Sequence, residues 1–331
     1  MTLHLEQTNA GAVAAAIAAE RHRKGATTSG MVMTLVIVAD EEHQSDATQA
    51  AQYSAGEHPS RILTVIPRPG RDDPRLDVGI SVGDSEGPGE LVRMRLRGSL
   101  ADHAESVVLP LLLSDTPVVV WWPGVHPENL ASDPLGRLAS RRIVDTTAED
   151  SFCEALVERK AHLASGDTDL SWTRLTPWRA ALAATLDQPY DAITGAVIRS
   201  EPFPSTPLLR AWLEWRLGVP VEYLRSEGPS INQVKLHTQT GDITITRPTG
   251  QVASVERDGR SVKELYLPRR DLRELISEEL RRLDPDETYE ETMRRLDVNR
   301  INPDDDADAS QPQPIHADSA IRHQQGVEDE H

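Results

Sequence analysis

The sequence predicts an α/β domain over residues 1–165, an α+β domain over residues 166–296 and a disordered acidic tail over residues 297–331. Three patterns favour this organisation. The run VVVWW at Val118–Trp122 is β-branched, aromatic and without alternation, which is typical of a strand buried on both faces of a parallel or mixed sheet. Residues 31–66 follow the pattern of strand, helix and strand. The second half contains short strands joined by Thr-Gly and Asp-Gly turns.

The first domain begins with a helix and a strand–helix–strand unit. Residues 9–24 are rich in alanine and end in basic residues, which suit the carboxyl end of a helix. Strands are predicted over residues 31–39 and 62–66, with a helix over residues 45–54 between them. Because such a unit joins parallel strands, the sheet is expected to be mostly parallel.

A hairpin is predicted next, at the edge of this sheet. Residues 75–82 and 90–97 flank a loop rich in glycine. In the second run, Arg93, Arg95 and Arg97 alternate with apolar residues, so one face of the hairpin is expected to be wet. The three arginines form either an ordinary solvated face or an electropositive strip.

The two tryptophans of the central strand are expected to fill both layers of the domain. Trp121 and Trp122 are adjacent, and adjacent side chains of a strand point to opposite faces. Core packing explains both residues. The alternative is that the Trp-Trp-Pro-Gly end borders a functional crevice, because ligands of open α/β sheets bind where the strands end.

The segment DPLGRL predicts a helix capped by Asp133. In that helix Arg137 and Arg141 are four residues apart and share an outward face. Arg142 falls on the inner arc, where a basic residue needs a partner such as the carboxylate of Asp145.

The first domain is predicted to end with a short strand at residues 143–144 and a helix over residues 152–163, and a boundary is placed near Gly166. Asp167 and Asp169 follow that boundary. They are either helix caps or a pair of acid/base carboxylates, and capping is the simpler explanation.

The second domain is predicted to contain helices grouped around an antiparallel meander. The clearest helix covers residues 269–283, whose apolar side chains lie on one face. The predicted elements are helices over 180–186, 207–217 and 269–283, and strands over 193–198, 233–239, 242–247, 252–257 and 260–265.

Composition excludes several classes of protein. The net charge of −18 argues against a nucleic-acid backbone or an anionic membrane as the main partner. A single cysteine, Cys153, excludes an internal disulfide. The absence of a long apolar run and of a signal-peptide pattern predicts a cytoplasmic protein. The tail holds nine Asp and Glu residues against Arg300 and Arg322 and has no aromatic residue, so it is expected to be disordered.

The sequence shows no motif for catalysis, a metal or a cofactor. It lacks the glycine-rich phosphate-binding patterns, the GxSxG elbow, HExxH and paired Cys/His spacing. One compact polar cluster stands beside a predicted strand, at His58, Ser60 and Arg61. It is either a phosphate site, made by the Arg61 guanidinium and the Ser60 hydroxyl, or an ordinary turn entering a strand.

Six short segments together resemble the OpcA family of glucose-6-phosphate dehydrogenase assembly proteins, in its actinobacterial form. They are EHPSR at 57–61, LSDTP at 113–117, WWP at 121–123, DPLGRL at 133–138, GDTDLSW at 166–172 and RRLD at 281–284. The resemblance runs in the same order over about residues 9–296. The acidic tail lies outside it.

The resemblance implies a non-catalytic partner that promotes the active oligomer of glucose-6-phosphate dehydrogenase, at the entry to the oxidative pentose phosphate pathway. It implies no cofactor, and it assigns no individual site residue. The exposed polar residues and tryptophans of the motifs are the expected contacts, the tryptophans only where they reach the surface. These candidates are His58, Ser60, Arg61, Trp121, Trp122, Arg137 and Arg141. The alternative is a sensor or enzyme that binds a sugar phosphate or nucleotide in a crevice lined by Arg61, Arg137 and Arg141.

Overall fold

The computed structural model describes residues 2–25, 30–84 and 87–302. Within them the strands, in chain order, are β1 Leu3–Leu5, β2 Met33–Val38, β3 Ser60–Arg68, β4 Arg75–Asp84, β5 Gly87–Arg97, β6 Val118–Trp122, β7 Arg141–Val144, β8 Asp167–Asp169, β9 Ile193–Ser200, β10 Val221–Arg225, β11 Ile231–Thr238, β12 Asp242–Thr246, β13 Val252–Arg257 and β14 Lys263–Tyr266. The helices are α1 Ala10–Lys24, α2 Gln44–Ala55, α3 Ala104–Val108, α4 Phe152–Ala161, α5 Leu170–Thr173, α6 Thr176–Thr185, α7 Ser205–Leu217, α8 Leu272–Arg281 and α9 Glu287–Arg295. Short 3-10 turns lie at Gly98–His103, Leu109–Leu111, Gly136–Leu138, Thr146–Ala148 and Val298–Arg300.

The first sheet has eight strands in the order β1-β4-β5-β3-β2-β6-β7-β8. Six consecutive strands of this sheet run parallel to one another, namely β5, β3, β2, β6, β7 and β8. Strands β4 and β1 are added antiparallel at one edge. The predicted mixed, mostly parallel sheet with an edge hairpin is therefore confirmed. β1 and β8 were not predicted.

Helices cover both faces of this sheet. α1 and α3 pack on one face through Val13, Ile17 and Val107, in a cluster that includes Trp122. The alanines of α2 pack on the other face, in a cluster that includes Trp121. That second cluster also contains Leu275, Ile276 and Leu280 of α8, a helix from the far end of the chain.

The second sheet has six strands in the order β10-β9-β11-β12-β13-β14. Strands β11 to β14 form the predicted antiparallel meander. β9 pairs antiparallel with β11, and β10, which the sequence analysis missed, pairs parallel with β9. A single core joins this sheet to α6, α7 and α9. The division near Gly166 stays a prediction, and the structure places β8 in the first sheet and α8 against it.

The predicted start of the tail at residue 297 is wrong for residues 297–302. The Asp297 side chain accepts from the backbone N–H of Asn299 and caps the 3-10 turn. Ile301 is only 2% exposed and belongs to the core of the second sheet. The acidic composition of the segment gave no indication that Ile301 packs in this core. Residues 303–331, where disorder was predicted, lie outside the described part of the chain.

Ile301→Ala should lower the free energy of unfolding by about 2–3 kcal/mol, because it removes buried methyl groups and leaves a cavity. Val298→Ala, three residues earlier at a site that is 39% exposed, is the matched control and should change stability by less than about 0.5 kcal/mol. Urea unfolding of both variants decides whether Ile301 holds this segment. Equal, small effects would show that it does not.

Candidate partner-binding surfaces

The EHPSR motif places Arg61 inside the molecule rather than on its surface. Ser60 is the first residue of β3, and both Ser60 and Arg61 are buried. The Arg61 Nε donates to a carboxylate oxygen of Glu90 at 2.6 Å, and its Nη1 donates to the carbonyl oxygen of Leu111 at 2.6 Å. The exposure that the sequence predicted for Ser60 and Arg61 is therefore wrong. His58 is half-buried and remains accessible.

The two tryptophans of β6 point to opposite faces, as predicted, and neither reaches the surface. Trp121 is 0% exposed and Trp122 is 2% exposed. Each belongs to a different helical layer of the first sheet. The tryptophans were expected to contact a partner only if they reached the surface, and they do not. Core packing accounts for both.

The prediction that Arg137 and Arg141 share an outward helical face is wrong. The DPLGRL segment forms only a 3-10 turn at Gly136–Leu138, and Ala139 is already extended. Asp133 does cap it, accepting from the N–H groups of Leu135 and Gly136. The helix never reaches Arg141, which begins strand β7 and is 3% exposed, whereas Arg137 is exposed.

Arg141 joins the first sheet to helix α8. Its Nε donates to Glu279 at 3.1 Å, and its Nη1 donates to the carbonyl oxygen of Asp284 at 2.7 Å. Thr173 donates its hydroxyl to the second carboxylate oxygen of Glu279 at 2.6 Å. Both charges of this pair are buried and their hydrogen bonds are satisfied, which is how a buried ion pair is tolerated.

Arg142 turns inward, as predicted, but its partner is Asp167 and not Asp145. The Arg142 Nε donates to the Asp167 carboxylate at 2.5 Å. Asp145 instead accepts both terminal nitrogens of Arg174, each at 2.8 Å. The pairing follows the sheet, because β7 and β8 are neighbours with Arg142 opposite Asp167. Sequence spacing does not show that adjacency.

Asp167 and Asp169 have structural partners. Asp169 caps α5 by accepting from the N–H of Ser171, and it also accepts the hydroxyl and the N–H of Thr146. Burial raises the pKa of Asp169, and the nearby Asp145 carboxylate adds to this effect. Burial also raises the pKa of Asp167 against the opposing hydrogen bond from Arg142. Capping, the simpler of the two predicted roles, is what Asp169 shows.

Asp169→Asn should gain stability relative to the parent as the pH rises. A raised folded-state pKa means that the folded protein binds the proton more tightly than the unfolded chain does. Stability is then lost as the pH rises from about 4 through the raised pKa, and asparagine has no proton to lose. Asp169→Ala, which also removes the cap, should cost about 2 kcal/mol at about pH 4 and less as the pH rises, because alanine has no proton to lose either. Urea unfolding between pH 4 and about 8 measures both, and a constant gap between parent and Asn variant would contradict the prediction.

The carboxyl end of β6 lies at the point where the strand order reverses between β2 and β6, the usual place for a ligand in such sheets. Here the space is occupied by protein. A Cβ on Gly124 would lie 2.9 Å from the His43 ring, so the ring packs directly on that glycine. His43 in turn contacts Asp40 at 2.8 Å. Two acidic residues, Glu41 and Glu42, follow Asp40, which disfavours a phosphate at this turn.

An apolar groove of about 750 Å³ lies at the second sheet, between helix α6 and the hairpin β13–β14. Its floor consists of small and aliphatic side chains: Ala180, Ala181, Ala184, Val255, Leu265 and Leu267. Tyr266 at its side is 74% exposed, and Val262 nearby is 59% exposed. β14 is the last strand of the second sheet, so its outer edge has no strand partner in the described part of the chain.

The described residues provide no group of His, Cys, Asp and Glu able to hold a metal ion. In the same residues no helix is long and apolar enough to cross a membrane.

Two family models match the chain, one after the other. The first is described as the N-terminal domain of a glucose-6-phosphate dehydrogenase subunit and matches residues 51–161. The second is described as the C-terminal domain of the same subunit and matches residues 165–293. Together they span most of the chain. It belongs to the OpcA family.

Solved structures resemble this OpcA-family chain only in part. A 3-ketoreductase from Actinomadura kijaniata has 11% identity and a TM-score of 0.45, covering 82% of this chain and 96% of its own. Biliverdin reductase from Synechocystis has 11% identity and a TM-score of 0.43, covering 80% and 97%. An oxidoreductase from Sinorhizobium meliloti has 8% identity and a TM-score of 0.43, covering 80% and 94%. At these values the activities of those enzymes are not transferred. No curated protein matches the sequence.

Several OpcA motifs meet between the first sheet and helix α8. Arg281 of the RRLD motif lies 3.5 Å from Glu57 of the EHPSR motif. Asp284, the last residue of RRLD, accepts from Arg141. Trp172 of the GDTDLSW motif donates its indole N–H to Asp286 at 2.8 Å. These motif residues therefore connect parts of the fold that are distant in the sequence.

The sequence analysis did not identify the exposed groove, because its apolar residues are scattered over α6 and β14.

Proposed function

We propose that this chain acts in the cytoplasm as a non-catalytic assembly factor that stabilises the active oligomer of glucose-6-phosphate dehydrogenase. The observation that carries the proposal is the match of both family domains over residues 51–293. The titratable groups at the carboxyl ends of the first sheet support a non-catalytic role, because they are engaged with one another. Asp40 contacts His43, Asp145 pairs with Arg174, and His126 lies 2.9 Å from Glu149.

The sensor hypothesis has less support. It required Arg61, Arg137 and Arg141 to line one crevice, and two of these arginines use their donors inside buried ion pairs. His58 and Arg137 remain accessible, and their contact with the dehydrogenase stays a prediction.

We propose the groove beside β14 as the surface that the dehydrogenase contacts. Exposed contiguous apolar surface and an unpaired strand edge are both features that bind other chains. Three basic residues border the groove, at Arg257, Arg260 and Lys263, against one carboxylate, Glu264. The expected occupant is a dehydrogenase segment with apolar and acidic side chains, which can add to the sheet edge through its backbone.

Assembly then follows from differential affinity. A partner that binds the assembled dehydrogenase more tightly than its inactive form shifts the population toward the assembled form by that difference and no more. The resulting increase in activity belongs to the dehydrogenase, since the assembly factor adds no group to its active site.

Mixing the purified chain with its dehydrogenase tests the function. Sedimentation velocity should show a larger species in the mixture, and the dehydrogenase kcat/KM should rise. The chain alone should show no turnover of glucose 6-phosphate. Unchanged sedimentation and kinetics in the mixture would reject the assembly role, whichever surface is involved.

A further inference from the structure

A second pocket lies at the edge of the first sheet that β1, β4 and β5 form, on the solvent-exposed face of these strands. Its volume is about 450 Å³, within the range of small-molecule sites. Leu91 of β5 packs in the cluster with α2, and Gln44, the first residue of that helix, borders the pocket. Past this point no helix in the described residues covers the strand, and the alternating arginines of β5 line the space.

Five arginines line this pocket, namely Arg68, Arg75, Arg93, Arg95 and Arg97. Glu41 pairs with two of them, Arg68 at 2.6 Å and Arg95 at 2.9 Å. Asp77 accepts from Arg75 at 2.8 Å and lies 3.8 Å from Arg97. Glu6 reaches Arg75 at 3.5 Å. Three carboxylates against five guanidinium groups leave two positive charges, in a chain whose net charge is −18.

These carboxylates are already engaged, so they do not neutralise the remaining charge. The hydrogen bond from Arg95 holds the pKa of Glu41 below its usual value. Although partial burial acts against it, hydrogen bonds from Arg75 and from the backbone of Gln7 lower the pKa of Asp77.

Among the described residues, Arg93 is the one arginine of the five that pairs with none of these carboxylates. Its Nε is buried and has no hydrogen-bond partner among the described residues, and no ion pair is found for it there. The register places Gly79 of β4 directly opposite Arg93, and His4 of β1 beyond Gly79. Because glycine has no side chain, this row of the sheet leaves a gap, bordered by the side chains of Thr2 and His4, which lie 3.6 Å and 3.8 Å from the position that a Cβ on Gly79 would take. A buried donor without a partner is costly. Arg93 as a whole is only partly buried and lines the pocket, so a ligand bound there can accept from its guanidinium.

We infer that this pocket binds a small phosphorylated molecule through Arg93, with the neighbouring arginines supplying further donors. A phosphate monoester carries about −1.5 to −2 charges at neutral pH, which matches the excess of two positive charges. Its three terminal oxygens accept from several guanidinium groups at once and carry more charge than one carboxylate. This site is distinct from the groove beside β14 and does not depend on the assembly role.

The test uses glycerol 3-phosphate as the probe, with glycerol and succinate as the uncharged and dicarboxylate counterparts. Titration calorimetry on the full chain at low salt should show binding of glycerol 3-phosphate, weaker binding of succinate and none of glycerol. Arg93→Gln should bind about tenfold more weakly. Gly79→Leu should abolish binding by filling the space, since a Cβ at Gly79 meets Thr2 at 3.6 Å, an ordinary contact.

Arg71→Gln is the matched control, because Arg71 is exposed and outside the pocket lining. It should bind like the parent, and all three variants should keep the melting temperature of the ligand-free parent within a few degrees. No binding by the parent would overturn the inference, and so would equal affinity for succinate. An Arg93→Gln variant that binds like the parent, or an Arg71→Gln variant that loses binding equally, would overturn the location.

Discussion

Arg141→Met should lower the free energy of unfolding by about 3–5 kcal/mol, the largest effect expected of any single change at the candidate contact residues. The substitution removes one partner of a buried ion pair and leaves Glu279, which is 6% exposed, without its counter-charge. It also leaves the carbonyl oxygen of Asp284 without its donor. Urea unfolding followed by circular dichroism measures the effect.

Arg137→Met is the matched control, because Arg137 is another candidate contact but is exposed and, among the described residues, its side chain donates only to the Ser132 carbonyl oxygen. Its stability should stay within about 0.5 kcal/mol of the parent. Adding Glu279→Leu to Arg141→Met should recover part of the loss, since the stranded charge is then removed. Equal stability of the two single variants would contradict the buried link.

Tyr266→Asp should weaken the complex with glucose-6-phosphate dehydrogenase by about thirtyfold, because an aromatic anchor that becomes buried in an interface contributes about 2 kcal/mol or more. A carboxylate at that position would also be desolvated beside the apolar floor of the groove. The fold should be unaffected, since Tyr266 is 74% exposed. Surface plasmon resonance gives the affinity, and the melting temperature gives the stability.

Val125→Asp provides the comparison for that variant. Val125 is 84% exposed, follows β6 of the first sheet and does not line the groove, so its replacement introduces the same charge outside the groove. The complex should keep its affinity. If Tyr266→Asp binds like the parent while mixing still raises dehydrogenase activity, the assembly role stands and the groove is the wrong surface.

Local patterns predicted the elements whose environment is uniform along the chain. Val118–Trp122 was predicted to its ends, because a strand buried on both faces needs an unbroken apolar run. The alternation at Arg93, Arg95 and Arg97 correctly indicated a strand with one wet face, and the electropositive strip remained one of two alternatives. The apolar face of α8 was equally clear from the sequence.

What could not be predicted depends on contacts between distant parts of the chain. The period of α8 shows that it buries one face, but not that the face covers the first sheet rather than the second. Strand β8 is three residues long and polar, and only its neighbour β7 makes it a strand. Arg141 resembles an outward helical residue in the sequence, but the 3-10 turn ends at Leu138. The turn begins at Gly136, where a Cβ would lie 1.7 Å from the Leu130 carbonyl oxygen.

The position of α8 also sets the order in which the chain can mature on the ribosome. Strands β2 and β6 are synthesised by residue 122, yet part of their helical cover is not made until residue 281. For the time needed to add more than a hundred residues, the face that contains Trp121 is only partly covered, by α2. Partly covered apolar faces of nascent chains are prone to aggregation and are substrates for chaperones. An N-terminal fragment that ends before α8 should therefore be poorly recoverable, and supplying the remainder as a separate chain should rescue it.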